Sequence, residues 1–183
     1  MFGMTFGLEH EITGFSQQRL FDEFLKRPDV LSRPTNIEYA RFFGYNGNNL
    51  NFRIKTDGSI KPEGCEVVSP ILVENDLPIV KRVLGDLYAI GARCNDTCGL
   101  HVHVGIPAGI ELDLDRVYHR WNLIRGQVWR NFRPYRWRNR EYCSINFKRE
   151  LLGGDRYLAL NLNRSLNTLE FRLFNGQLAF RYV

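Results

Sequence analysis

Three short segments of this chain place ionisable residues at alternate positions: LEHEI (8–12), LHVHV (100–104) and LEFRL (169–173). Side chains of a β-strand alternate between faces, so residues i and i+2 project together. Glu9 with Glu11, His101 with His103, and Glu170 with Arg172 therefore each share a face. Leu8, His10 and Ile12, Val102 and Val104, and Phe171 and Leu173 take the opposite faces. Glu66, in GCEVVS (64–69), adds a carboxylate to another apolar strand. A merely solvated sheet face would carry Lys, Thr, Ser and Gln at such positions. Carboxylates two apart on one face repel each other unless a cation lies between them. Carboxylate oxygens with an occasional imidazole suit Mg²⁺ or Mn²⁺ better than a thiolate-loving metal.

His-x-His also occurs in cupin-type barrels and zinc hydrolases. A cupin needs a glutamate a few residues further along the same strand, where this chain has Pro107 and Gly109. A barrel hydrolase needs about 250 residues, and this chain has 183.

The remaining periodicities predict strands over 4–12, 49–55, 64–69, 99–104, 157–162 and 168–174, and helices over 16–26, 75–90 and 113–131. Ser16 is the expected N-cap of the first helix and Gly91 the stop of the second. The region of Pro28 and Pro34 reads as a loop, Asp57-Gly58 as a hairpin turn, and 133–142 as an irregular basic segment. The order β-α-β-β-α-β-α-β-β favours an α+β fold, with a mainly antiparallel sheet and helices on one face. One domain over 1–183 is expected.

No apolar run is long enough to span a bilayer. MFGMTFGLEHEI lacks the regions of a signal peptide, so a cytoplasmic location is expected. Cys65, Cys94, Cys98 and Cys143 are then expected as free thiols, and Cys94-x-x-x-Cys98 lacks the second pair of a zinc site. The net charge is +5. Arginines crowd one segment (Arg116, Arg120, Arg125, Arg130, Arg133, Arg136, Arg138, Arg140), with Trp121, Trp129, Phe132, Tyr135 and Trp137 between them. That mixture suits a nucleic-acid surface, a solvated helix face with core anchors, or phosphate ligands for a nucleotide. Composition does not choose among these.

FGLEHEI, TDGSIKPEGCEVVSPIL, CGLHVHVG, NREYCSIN, RYLALNLN and NTLEFRLFNG follow one another in an order and spacing that resembles the amidoligase family. This is a branch of the carboxylate–amine ligases related to glutamine synthetase and glutamate–cysteine ligase. The resemblance runs from about residue 5 to 176. It implies a curved, mainly antiparallel sheet, like half a barrel, with helices on the convex face and the active site in the concave one. It also implies chemistry: ATP phosphorylates a carboxylate, an amine attacks the acyl phosphate, and an amide forms.

By the same resemblance Glu9, Glu11, Glu66, His101 and Glu170 would hold Mg²⁺ or Mn²⁺. His103, Arg140, Arg156 and Asn161 would line the nucleotide or substrate site. Arg172 would grip the transferring phosphoryl group, acting with Glu66 and Asp57 in catalysis, while Ser59 would contact the incoming amine or acid. The expected partners are an amino acid, amine or peptide; a basic nucleic-acid-binding protein and an inactive relative that binds without turnover are the competing readings. Two departures stand out. His10 takes a place where the family usually has an apolar residue, and only seven residues follow Gly176, which implies a C-terminally shortened domain.

Overall fold

A computed structural model describes residues 3–26, 39–42, 50–132, 143–144, 147–155, 157–176 and 178. The alternating segments form strands β1 (Phe6–Thr13), β3 (Leu50–Thr56), β4 (Gly64–Val68), β5 (Gly99–Gly105), β6 (Leu160–Asn163) and β7 (Thr168–Asn175). A further short strand, β2 (Tyr39–Phe42), pairs with β3. The helices are α1 (Gln17–Leu25), α2 (Leu77–Ala89) and α3 (Leu114–Phe132). The strands make one open antiparallel sheet in the order β2-β3-β4-β1-β5-β7-β6, so the architecture is α+β.

All three helices lie on the apolar face. Leu20 and Phe24 of α1 and Val80, Val83, Leu84 and Leu87 of α2 pack on Ile12, Ile54 and Val67 of the sheet. Trp121 of α3 packs with Leu160 and Leu173 and stacks on Phe147, ring centroids 6.4 Å apart. Burial of these side chains is the main favourable contribution to the fold, about 1.5–3 kcal/mol each. His10 points to this side and is 5 % exposed; burial, with the adjacent His101, pushes its imidazole down to about 4. It is therefore neutral at physiological pH.

Ser16 Oγ accepts the Arg19 backbone N–H at 3.2 Å, the expected N-cap. Gly91 ends α2 region with φ of 100°, a conformation open to glycine. Three local expectations differ. Asp57-Gly58 does connect β3 and β4 as an antiparallel hairpin, but at the start of a seven-residue connection, 57–63, and Gly58 does not take a left-handed φ. The strand expected from 157 starts at Leu160, because the Tyr157 carbonyl and the Ala159 N–H bond Ser144 rather than β7. The β2 strand is too short for its alternation to be read. The 133–142 segment lies outside the described residues.

Candidate functional site

The face opposite the helices carries a cavity of about 770 Å³. Cross-strand register builds it. Lys55 pairs with Glu66 and Glu66 with Glu11 along one row; Glu9 stands opposite His101; and His103, Glu170 and Asn161 make another row. Between β5 and β7 the register shifts, so that Arg172 and Leu173 both stand opposite His101.

His101 is the hub. Its Nδ1 lies 3.0 Å from Glu9 Oε2 and 3.9 Å from Glu170 Oε1, and its Nε2 lies 3.3 Å from Glu11 Oε1. The other oxygen of Glu11 accepts the Gly99 backbone N–H at 2.7 Å. His103 Nδ1 meets Thr168 Oγ1 at 3.0 Å. Its Nε2 is 3.4 Å from Glu9 Oε1, but buried without a hydrogen-bond partner. Arg172 Nη1 donates to Glu170 Oε1 at 2.5 Å, while Arg172 Nε is buried and likewise unpartnered.

The electrostatics are lopsided. The cavity lining holds Glu9, Glu11, Asp57, Glu66 and Glu170 against the fixed cations Lys55, Arg164 and Arg172. Burial pushes Glu66 up to about 8, with further lift from the charge of Glu9 and its hydrogen bond; Lys55, 3.6 Å away, pulls the other way. Burial also opposes ionisation of Glu9, yet hydrogen bonds from His101 and Glu66, with the His103 imidazole 3.4 Å away, hold its carboxyl well below the usual range. At neutral pH Glu66 thus offers a proton to an ionised Glu9.

One donor atom each from Glu9, His101 and Glu170 lies within 4.8 Å of the others. Two carboxylates and an imidazole so arranged, with Glu11 and Glu66 beside them, fit a hard divalent cation.

The structure brings Glu9, Glu11, Asp57, Ser59, Glu66, His101, His103, Asn161, Glu170 and Arg172 to this one cavity. Asp57 and Ser59 sit on the connection after β3, where Asp57 Oδ1 accepts from the Ser59 N–H and hydroxyl at 2.8 and 2.7 Å. Asn161 Oδ1 accepts the Gly153 N–H at 3.3 Å. Arg140 and Arg156 lie outside the described residues. Lys55, Tyr157, Asn163, Arg164 and Ser165 also line the cavity and were not expected there. Alternation in LNFRIK does put Lys55 on the polar face. Nothing local points to Arg164 and Ser165, which arrive on the turn between β6 and β7. A second cavity of about 450 Å³ shares Glu9, Lys55 and His103 with the first.

On α3, Arg116, Arg120 and Arg130 are exposed while Trp121 is buried, as for a solvated helix with a core anchor. Among the described residues no helix is long and apolar enough to cross a membrane.

A family profile described as "Putative amidoligase enzyme" matches residues 3–123, more than half of the chain. The matched region includes Glu9, Glu11, Glu66, His101 and His103; Glu170 and Arg172 lie beyond it. No curated protein and no solved structure matches.

Proposed function

The chain belongs to the amidoligase family, and from that premise we propose that it is an ATP-dependent carboxylate–amine ligase that works through an acyl phosphate. One observation carries the reading: Glu9, His101 and Glu170 converge beside Arg172, whose buried Nε has no partner.

Joining a carboxylate to an amine needs a leaving group on the carboxylate, and phosphorylation supplies one. Bringing that carboxylate to a polyphosphate gathers like charges, which positive groups must offset. Glu9, His101 and Glu170 would hold Mg²⁺ or Mn²⁺, with Glu11 and Glu66 adjacent. The cation supplies charge neutralisation and orients the polyphosphate. Arg172 faces the charge that develops on the transferring phosphoryl group. Its bond to Glu170 fixes the guanidinium while leaving Nε for a phosphate oxygen. His103 Nε2, near Glu9 but without a hydrogen-bond partner, would meet the nucleotide, together with Asn161 on the same cavity wall. Asp57 and Ser59 would meet the acid or amine, an amino acid, amine or peptide. Glu66 holds its proton at neutral pH while the site lacks a cation; ionised beside a bound divalent cation, it would take the proton that the attacking amine must lose.

ADP release from ATP and Mg²⁺, measured against pools of amino acids and amines, tests this. Release should depend on both an acid and an amine, and Arg172→Ala should lower it by about 10²–10³-fold. Unchanged release in Arg172→Ala would contradict the assignment. Salt-sensitive binding to DNA or RNA that ignores Glu170→Ala would favour the nucleic-acid reading instead.

A further inference from the structure

The mechanism leaves the cysteines unused, and two of them are set side by side. Asn95 Oδ1 accepts the Thr97 N–H and hydroxyl at 2.9 and 2.6 Å, and the Cys98 N–H bonds the Asn95 carbonyl at 3.1 Å. This tight turn folds Cys98 back towards Cys94, and the Cys98 thiol donates to Asn95 Oδ1 at 3.6 Å. Gly176 covers them: a Cβ there would lie 2.7 Å from the Cys98 Cβ and 3.2 Å from that of Cys94. The two Cβ atoms are therefore at most ~6 Å apart, within a small adjustment of the separation a disulfide needs. Cys94 is half-buried and reachable from solvent, whereas Cys98 is buried.

The turn also touches the candidate site. Cys94 Sγ donates to the Glu11 backbone carbonyl at 3.5 Å. The residue after Cys98, Gly99, donates its N–H to the Glu11 carboxylate. The pair thus holds Glu11 from two sides.

We propose that Cys94 and Cys98 form a reversible oxidation site, closing to an intramolecular disulfide with hydrogen peroxide, and that closure displaces the Gly99 N–H from Glu11. One thiolate attacks a peroxide oxygen; the O–O bond breaks, leaving a sulfenic acid and, after protonation, water. The second thiol attacks that sulfur, the S–S bond forms, and the hydroxyl leaves with a proton as a second water. Two thiols are oxidised and one peroxide is reduced. The proposal does not rest on the ligase reading, because both of its readouts are made without nucleotide.

The reduced full-length chain is treated with peroxide, alkylated in denaturant and digested with trypsin. Cleavage after Arg93 and Arg116 releases one peptide, 94–116, holding both cysteines and no other. It should appear unalkylated and two hydrogens lighter, and regain both alkylations after dithiothreitol. In ¹⁵N spectra the Gly99 amide should shift on oxidation of the wild type and stay in place in peroxide-treated Cys98→Ser. Persistently alkylatable thiols, irreversible oxidation of Cys98 to the sulfinic acid, or a bridge to Cys65 would overturn the site. A bridge that leaves the Gly99 amide unmoved would overturn its coupling to Glu11.

Discussion

Glu9 and Glu66 set the charge state of the cavity. Glu66 binds its proton more tightly in the fold, at about 8, than its ordinary 4.5. Between those values the folded chain binds the extra proton, so this group's contribution to stability is full below about 4.5 and is lost as pH rises through about 8. Glu66→Gln keeps the hydrogen bond and removes the charge. Without metal, the variant should match the wild type in heat stability near pH 5 and exceed it at pH 9, by on the order of 1–3 kcal/mol. Equal melting temperatures at pH 9 would contradict the shared proton. His10 gives the opposite slope. Its folded pKa of about 4 lies below its ordinary 6.5, so its contribution is present above 6.5 and is lost as pH falls towards 4. His10→Phe should flatten thermal stability across that interval, and an undiminished slope would show that another group titrates there. His10 fits the apolar side because a neutral imidazole is all the core must accommodate.

At the scale of elements, β1 and β4 bring Glu11 opposite Glu66, and Gly64 permits their approach. A Cβ at Gly64 would lie 2.4 Å from the Ile12 carbonyl oxygen and 2.2 Å from Ile60 Cγ2. Backbone cannot yield as a flexible side chain can, so Gly64→Ala should cost about 2–3 kcal/mol by urea melt. A loss under about 0.5 kcal/mol, within the range of an ordinary surface substitution, would contradict the close approach. Ser16→Ala, which removes only the cap of α1, should cost about 1 kcal/mol. The long strands were legible in the sequence because a period of two assigns a face without knowledge of the partner strand. Four-residue β2 has too short a period to register. The early start expected for β6 failed for a different reason, since 157–159 is as apolar as a strand but pairs with Ser144, and only the Ala159 carbonyl meets β7, at the Arg172 N–H.

Over the whole molecule, the sheet separates two chemistries: helices cover one face, and carboxylates, imidazoles and an arginine gather on the other. For the site residues on strands, the face could be read from the strand itself. Their neighbours could not, because register is non-local. That Glu9 meets His101 while His103 meets Glu170 depends on how β1, β5 and β7 align. The shift that sets Arg172 opposite His101, and the turn that delivers Arg164, leave no local signature. The central claim is that this face binds a nucleotide through a divalent cation. Thermal unfolding with ATP and Mg²⁺, with each alone, and in Glu170→Gln tests it most directly. At a ligand concentration about 100 times Kd, binding should add roughly 2.7 kcal/mol, a rise in Tm of about 5–10 °C for a chain of this size. The account predicts that rise for ATP with Mg²⁺ in the wild type and its loss in Glu170→Gln. A rise that needs no metal, or that persists in the variant, would contradict it.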